Sequence, residues 1–331
     1  MSAPTVETAA AADLAPGGSI WKRSASASKV PAMLDISPYD SKPSLWLRMK
    51  FPEAFPDKPN ESQERGNDLE EGCLKRWFRK NPRYERLSAG EVTFTRTDLG
   101  YLSIGTPDCR ALDTETGEVI DVENKTVGPY ARDLRDWGKP GTDIAPEIYL
   151  VQIVWQQGHS GARKTALIKN GPFIDDQDTY WVHRNEDAWN YIESIVSTFM
   201  LSLEMGIEPE PDGRPETYDA IRLAYWEIDR KEREDWEIHV DKAIEYTEAL
   251  GAADAAETRL LQAKSDLLKV MGPSRRAIVP HPTKTDKKGD PIPMVIASRQ
   301  KKGAGVSLVR PKTPVDLELL RSMRALGVVA E

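Results

Sequence analysis

Cysteine is scarce in this sequence, which has only Cys73 and Cys109 among its 331 residues. Two cysteines cannot build a disulfide framework, and these two lack the paired spacing that a zinc site or an iron–sulfur cluster needs. We therefore expect two reduced, buried thiols in a cytoplasmic protein. The four histidines are scattered without metal-ligand spacing, so we expect no catalytic part for them.

Long apolar runs and an excess of positive charge are also missing. No stretch approaches the roughly 20 apolar residues of a membrane span, and the N-terminus lacks the basic-then-apolar order of a signal peptide. With 45 Lys and Arg against 53 Asp and Glu, the net charge of -8 excludes a uniformly basic coat for nucleic acid. Only local basic surfaces remain as candidates, and we expect a soluble protein without membrane partners.

Small side chains dominate the N-terminal residues. Residues 1–19 contain almost no large apolar groups and cannot offset the entropy of ordering, so we predict a disordered tail there. A helix of small residues is predicted over 26–34, and a second short helix over 43–49, after the break at Ser37-Pro38-Tyr39.

The central residues predict an α/β domain. Helical spacing over 64–78 places Leu69, Cys73, Leu74 and Trp77 on one face, which should lie against a core. Strands are predicted over 91–96, 101–104 and 118–127, in the outline of a β-meander, and again over 164–169 and 179–182. Further helices are predicted over 148–157 and 186–205, the second of which should cover one side of the sheet.

The C-terminal residues predict a helical extension with uneven charge. Residues 216–250 and 253–270 are typical of two long helices hinged at Gly251, which together would form a helical hairpin. Residues 208–256 hold fifteen acidic and six basic side chains, whereas 272–313 hold ten basic and two acidic ones. The basic segment is a candidate for phosphate-backbone contact, although lysine-rich loops are often simply solvated.

One pattern of charged residues indicates metal chemistry. Thr106-Pro107-Asp108 is followed after fourteen residues by Glu123-Asn124-Lys125. Side chains two apart on a strand share a face, so Glu123 and Lys125 project together and can meet Asp108 from a neighbouring strand. Two carboxylates suit Mg²⁺, and an ammonium that never competes as a ligand can orient water or stabilise charge on phosphate. Taken alone, both segments are also common surface features.

These residues resemble the motif of the PD-(D/E)xK nucleases, and three further segments resemble the YqaJ-like viral recombinase and lambda-exonuclease branch of that family. The three are Ser37-Pro38-Tyr39 with Leu45-Trp46-Leu47, Gly66-Asn67-x-Leu69-Glu70, and Tyr149-Leu-Val-Gln152-x-x-Trp155-Gln156 with Gly161. In order and spacing the resemblance covers roughly residues 21–211. The middle residue of the family's triplet is usually apolar, whereas this chain has Asn124.

The resemblance implies a restriction-endonuclease-like α/β core, a small mixed sheet flanked by helices, with a helical C-terminal extension. Its implied division is a tail (1–19), a nuclease core (20–212), a helical hairpin (216–271) and a basic β/loop segment with a terminal helix (272–331). Implied catalytic residues are Asp108, Glu123, Lys125, Glu70 and Gln152, and implied ligands of Mg²⁺, or of Mn²⁺ in its place, are Asp108, Glu123, Glu70 and the Asn124 carbonyl. Implied contacts to DNA and its 5′-phosphate are Arg23, Ser28, Thr106, Tyr149 and Gln156.

Three of these residues have an ordinary structural alternative. Glu70 alone is typical of a solvated helix residue, and the adjacent Glu71 is the expected solvent-facing member of the pair. Gln152 and Gln156 are four apart and share a helix face, which is equally typical of an exposed polar stripe.

The implied function is resection of linear double-stranded DNA ends, 5′ to 3′, for a single-strand annealing protein, by an enzyme whose relatives form rings. A related endonuclease or repair nuclease is the first alternative, because the same core recurs in such enzymes. The second alternative is a DNA-binding recombination scaffold without catalysis.

Overall fold

Short strands alternate with helices along most of this chain. The computed structural model describes residues 11–56, 61–128, 136–171, 176–225, 235–311, 313 and 315–325. The helices are α1 (Ala11–Leu14), α2 (Ser19–Arg23), α3 (Val30–Met33), α4 (Lys42–Lys50), α5 (Glu61–Lys80), α6 (Glu147–Ser160), α7 (Glu186–Met205), α8 (Pro215–Ala224), α9 (Val240–Met271) and α10 (Leu317–Ala325), with a 3-10 turn at Pro52–Ala54. The strands are β1 (Ala25–Ser26), β2 (Tyr84–Arg86), β3 (Phe94–Thr95), β4 (Ser103–Gly105), β5 (Cys109–Asp113), β6 (Val119–Thr126), β7 (Lys164–Asn170), β8 (Gln177–His183), β9 (Arg276–Thr285), β10 (Pro291–Lys302) and β11 (Gly305–Val309).

The chain divides into two compact units, residues 1–229 and 230–331. The first unit is built on a five-stranded mixed sheet in the order β2-β5-β6-β7-β8. Strands β6 and β7 are parallel and the other neighbours are antiparallel. A smaller sheet, β1-β4-β3, lies in the same unit. The predicted small mixed sheet flanked by helices is confirmed.

Alternation along the central strands assigns one face of the large sheet to α5 and the other to α6. Leu74 and Trp77 of α5 share a buried cluster with Val122 and with Ile168. On the opposite face, Ile153 of α6 packs with Leu167, Tyr180 and Val182. Each fully buried side chain of this size stabilises the fold by about 1.5–3 kcal/mol. The sheet is thus fixed between two helices, and Glu123, next to Val122, faces α6.

Helix α7 occupies the predicted span, 186–205, and buries the predicted face, with Trp189 and Phe199 among its buried residues. It lies close to α6 at Gly158, where an added Cβ would lie 2.0 Å from the Trp189 ring. The Trp155 and Trp189 rings, 5.2 Å apart between centroids, fill the same interface. A side chain at residue 158 would therefore separate the two helices.

Three local predictions were wrong. Residues 11–19 are not a tail: Leu14 is buried, and Ser19 donates to Asp13 at 3.0 Å. The predicted helix over 26–34 is shortened to α3, because the backbone at Ser26 pairs with β4 and extends instead. The predicted β-meander is divided, since β4 belongs to the smaller sheet while β5 and β6 form a hairpin in the larger one.

Helix α5 confirms the prediction over 64–78, but its buried face is shorter than predicted. Leu74 and Trp77 are buried, whereas Leu69 is 41% exposed. The core contact of α5 therefore begins about one turn later than the sequence pattern indicates.

In the second unit, α9 runs without interruption from Val240 to Met271. The predicted hinge at Gly251, and with it the helical hairpin, was wrong: one Gly inside a helix costs only about 1 kcal/mol and does not require a break. The unit also contains an antiparallel sheet in the order β11-β10-β9. None of the helices in the described ranges combines the length and the hydropathy needed to span a bilayer.

Candidate active site

Strand β6 presents three charged side chains to α6, because residues 121, 123 and 125 share one face of the strand. Each of them contacts a different residue of the helix, so the strand and the helix lie side by side along the site. The three pairs are Asp121 with Ser160, Glu123 with Gln156, and Lys125 with Tyr149.

Glu123 is held from two sides. Its side chain is 4% exposed, and its Oε1 lies 2.6 Å from Lys125 Nζ. Its Oε2 accepts a hydrogen bond of 2.9 Å from Gln156 Nε2. The same Gln156 nitrogen donates to the Thr106 carbonyl at 2.9 Å. Gln156 therefore joins strand β6 to the segment that leads into Asp108.

Asp108 immediately precedes β5, and Cys109 pairs with Val122 of β6. The Asp108 carboxylate accepts a 2.6 Å hydrogen bond from the Asn124 backbone N–H. Burial, followed by the negative charge of Glu123, raises the pKa of Asp108 well above its usual range, against the opposing effect of Lys125. The structure thus brings Asp108, Glu123 and Lys125 together as the sequence predicts.

Three carboxylates, one of them Asp108, converge beside the Glu123–Lys125 ion pair. Ligand oxygens of Glu70, Glu91 and Asp108 all lie within 4.8 Å of one another. Burial and the neighbouring Glu91 and Glu123 raise the pKa of Glu70, and burial followed by Glu123 raises the pKa of Glu91. The three shifts have the same two causes, since burial disfavours the charged form of each carboxyl group and the neighbouring negative charges repel it.

Glu70 occupies the position that the family resemblance implies, whereas its neighbour has a different role. Glu71 is half exposed and pairs with Arg86 at 2.9 Å and with Lys75 at 3.3 Å. Glu70 therefore faces the carboxylate cluster and Glu71 faces solvent-side cations.

Glu91 was not predicted from the sequence as a site residue. The only signal for it was an acidic residue at the start of a predicted strand, which is too common to single out. Its position depends on a pairing between distant residues, in which Val92 N–H donates to the Pro107 carbonyl at 3.1 Å. That bond places Glu91 beside Asp108.

Lys125 is a charged donor directed at acidic groups. Burial alone would lower the pKa of Lys125, but Glu123 and Asp108 outweigh it and raise the value. The ammonium therefore stays protonated beside the carboxylates, where it can also meet the charge of a phosphate.

The polar Asn124 is accommodated by amides behind the strand. Its Oδ1 accepts from Asn170 Nδ2 at 2.5 Å, and Asn170 Oδ1 in turn accepts from Gln177 Nε2 at 2.9 Å. Gln177 also donates to the Cys73 carbonyl of α5 at 3.0 Å. An amide chain takes the place of apolar packing here. The metal-ligand role of the Asn124 carbonyl stays a prediction.

The residues predicted to hold a 5′-phosphate lie in two places. Arg23 pairs with Glu53 at 2.9 Å. Ser26 of β1 and Ile104 of β4 are partners in a parallel pairing. Ser28 and Thr106 each lie two residues beyond one of these partners, so the two hydroxyls follow the smaller sheet at the same end. Within the described ranges, no contact joins Arg23 to either hydroxyl, and the phosphate roles stay predictions.

The two glutamines of α6 differ in what they contact. Gln156 binds Glu123, whereas Gln152 Oε1 is buried without a hydrogen-bond partner among the described residues. Gln156 Oε1 is in the same state. Buried acceptors without donors are costly, so both amides offer oxygens that a bound group or water can satisfy.

The residues present fit a hard divalent cation. The converging donors are all oxygens, from Glu70, Glu91 and Asp108, with Glu123 adjacent. Oxygen ligands are what Mg²⁺ and Mn²⁺ take, whereas zinc and copper prefer nitrogen and sulfur. A cation would also offset the negative charge that raises the pKa values of these carboxyl groups.

No family model matches the sequence, and no curated protein matches it significantly. Among solved structures, the fold is similar to an alkaline exonuclease from Laribacter hongkongensis, with 19% identity and a TM-score of 0.43 over 56% of this chain and 91% of that chain. The same enzyme in complex with dAMP gives a TM-score of 0.44 at the same identity and coverage. A phage-related exonuclease from Haemophilus somnus 129PT has 12% identity and a TM-score of 0.41, over 56% of this chain and 95% of that chain.

Proposed function

We propose that this chain is a Mg²⁺-dependent deoxyribonuclease of the YqaJ and lambda-exonuclease type. One observation carries the proposal: the oxygens of Glu70, Glu91 and Asp108 converge within 4.8 Å beside the Glu123–Lys125 ion pair of 2.6 Å. The combination of clustered carboxylates with one ammonium is suited to hydrolysis of a phosphodiester and to few other reactions.

Each residue has a distinct part in the proposed reaction. Asp108, Glu70, Glu91 and Glu123 would hold Mg²⁺, which when bound supplies a Lewis acid for the phosphoryl group and activates water. Lys125 donates to a phosphate oxygen or to the attacking water and balances charge that develops there. Gln156 holds Glu123 in place through the 2.9 Å hydrogen bond to its Oε2.

We extend the proposal to the activity that the sequence resemblance implies. The chain would degrade linear duplex DNA from its ends, 5′ to 3′, and leave 3′ single strands for an annealing protein. Assembly into a ring around DNA belongs to the same proposal. Its proposed DNA contacts are Arg23, Ser28, Thr106 and Tyr149, with Gln152 as the glutamine that supports the site and the DNA. The resemblance also implies Gln156 as a DNA contact, but its hydrogen bonds to Glu123 and to the Thr106 carbonyl favour a positioning role for it instead.

Cleavage assays with two duplexes test the proposal. We expect linear, 5′-phosphorylated DNA to be degraded in Mg²⁺ while covalently closed circular DNA of the same sequence stays intact. Separate labels on the 5′ and 3′ ends give the polarity. Asp108→Ala should abolish degradation, whereas the matched control Glu71→Gln, which alters an exposed ion pair, should retain it.

Four outcomes contradict parts of this proposal. Cutting of the closed circle would replace the exonuclease with an endonuclease. Release of the 3′ label before the 5′ label would contradict the proposed 5′-to-3′ polarity. Unchanged degradation by Asp108→Ala in a clean preparation would contradict the catalytic assignment, and binding without degradation by the wild type would favour a scaffold.

A further inference from the structure

The second unit carries a concentration of positive charge that the proposed active site does not use. Residues 272–313 hold ten basic and two acidic side chains in a chain of net charge -8. Since that segment alone contributes +8, the remaining residues carry a formal charge of -16. The basic sheet is thus opposite in sign to the rest of the protein.

These cations lie on a three-stranded sheet, β9 to β11, and on the residues that flank its strands. Eight of them are exposed and have no ion-pair partner among the residues that the structure describes. Lys284, Lys287 and Lys288 lie at the β9–β10 turn, and the other five lie towards the opposite end of β10. Those five are Arg275, Arg276, Lys301, Lys302 and Arg310.

The two acidic residues of this segment form no ion pair with these cations among the residues that the structure describes. Asp286 Oδ1 accepts backbone hydrogen bonds from Lys288 N–H at 2.7 Å and from Asp290 N–H at 3.0 Å, so it shapes the turn. The Asp290 carbonyl completes that turn by accepting from Asp286 N–H at 2.8 Å. Like charges on neighbouring strands repel one another. An external polyanion would remove that repulsion.

The dimensions fit a nucleic-acid duplex. Strand β10 has 12 residues, and at about 3.3 Å per residue it spans roughly 36–40 Å, close to the 34–36 Å of one duplex turn. Cations at both ends of β10 can therefore reach phosphates about one turn apart.

The composition indicates contact with the phosphate backbone and not with bases. Residues 272–331 contain no Phe, Trp or Tyr. Proteins that hold single strands commonly stack bases on aromatic side chains, and this unit offers none on its sheet. The remaining interaction is electrostatic and independent of sequence.

We propose that the sheet β9–β11 binds the phosphate backbone of duplex DNA without sequence preference, as a contact separate from the catalytic carboxylates. The choice of DNA as the polyanion rests on the proposed function. Binding by this sheet does not require cleavage, so the two proposals can fail independently.

Salt-dependent binding tests the proposal on the full chain. Duplex affinity is measured in EDTA, which prevents cleavage, for wild type, for Lys301→Gln/Lys302→Gln and for a matched control, Lys264→Gln/Lys269→Gln on α9. Both variants remove two exposed, positively charged lysines from the same unit. Lys301→Arg/Lys302→Arg keeps the charge. Equal melting temperatures establish that all four proteins are folded.

We expect Lys301→Gln/Lys302→Gln to weaken binding about tenfold at low salt. The slope of log Kobs against log salt should become shallower by nearly 2, because each phosphate that a lysine neutralises adds about 0.9 to that slope. The control and the arginine variant should retain the wild-type slope. An equally weakened α9 control, or a sheet variant that binds as tightly as wild type, would overturn the proposal. The proposal would also be overturned if Lys301→Gln/Lys302→Gln bound DNA normally but no longer bound phosphatidylglycerol vesicles, which present an anionic lipid surface instead of DNA.

Degradation of linear duplex in Mg²⁺, measured on the same preparations, separates the two proposals. If the sheet variant binds more weakly as expected but the wild type degrades no DNA, the proposed function fails and the DNA contact stands. If the wild type degrades DNA while the sheet variant binds as tightly as wild type, the contact fails and the nuclease stands.

Discussion

Gln156 and Gln152 lie one helical turn apart on α6, yet only Gln156 contacts Glu123, at 2.9 Å. Residues that orient a metal ligand commonly contribute 10- to 100-fold in affinity or activity. We expect Gln156→Leu to lower kcat for DNA hydrolysis by about 10- to 100-fold with little change in KM, because the variant frees Glu123 while the DNA-binding surface stays intact. Steady-state kinetics on linear duplex measure both constants.

Gln152→Leu tests the role of Gln152 in the same assay. The family resemblance assigns the supporting glutamine to Gln152, whereas the hydrogen bond assigns the support of Glu123 to Gln156. A normal kcat for Gln156→Leu would contradict the role that the geometry gives it.

The packing behind the site can be tested through the pH dependence of stability, because His159 is buried there. It is fully buried, with Nδ1 2.8 Å from the Trp155 carbonyl and Nε2 in contact with Ser103 Oγ. Burial lowers the pKa of His159 to about 4, and the nearby Arg96 and Asp98 act in opposite directions. Between that value and about 6.5 the unfolded chain binds a proton that the folded chain does not, so this contribution to stability is present above pH 6.5 and declines towards pH 4.

We therefore expect the difference in unfolding free energy between wild type and His159→Gln to shrink by about 3 kcal/mol from pH 7 to pH 4. Urea denaturation at several pH values measures it, and the subtraction removes groups common to both proteins. A difference that is constant with pH would show that His159 is not buried in its neutral form.

At single positions, the sequence predicted which charged residues converge better than it predicted the contacts that place them. Asp108, Glu123, Lys125 and Glu70 were predicted as site residues because residue type and spacing reflect the two-residue repeat of a strand and the family motif, and the structure brings them together. Glu91 was not found, since its place depends on a hydrogen bond between Val92 and Pro107 that no local pattern encodes.

Among the elements, the contact between α6 and α7 depends on the absence of a side chain at Gly158. An added Cβ would lie 2.0 Å from the Trp189 ring, and Trp189 is only 7% exposed. We expect Gly158→Ala to lower the unfolding free energy by about 1–3 kcal/mol through overpacking, despite the better helix propensity of Ala. Urea denaturation measures the change.

Gly72 of α5 provides the matched control, because a Cβ there would meet nothing within 4 Å. Gly72→Ala should raise the unfolding free energy by up to about 1 kcal/mol through propensity alone. If Gly158→Ala were as stabilising as Gly72→Ala, the close helix contact would be wrong.

Elements with a long, regular apolar period were predicted well, and elements decided by distant partners were not. Helix α7 matches its predicted span because its buried face repeats over 20 residues. Ser26 of strand β1 was predicted as helix, since a strand of two residues carries little local signal and its conformation depends on pairing with β4. Helix α9 continues through Gly251 because helical neighbours on both sides outweigh one unfavourable residue.

The whole molecule combines a carboxylate cluster in the first unit with a basic sheet in the second. Net charge alone, at -8, would argue against a DNA-binding protein. The distribution of charge supports the proposed DNA contact, because eight exposed cations on β9 to β11 and on the residues flanking those strands have no ion-pair partner within the described ranges. The place of each charge along the chain is therefore a better guide to the partner than the total.

Metal binding measured by calorimetry tests the central claim most directly. Mn²⁺ is titrated into wild type, Glu70→Gln, Asp108→Asn and Glu71→Gln, each shown to be folded by its melting curve. We predict that wild type and Glu71→Gln bind Mn²⁺ equally, and that Glu70→Gln and Asp108→Asn bind it at least about tenfold more weakly, because each removes a charged ligand. Wild-type affinity in Asp108→Asn would contradict the claim that these carboxylates form one metal site.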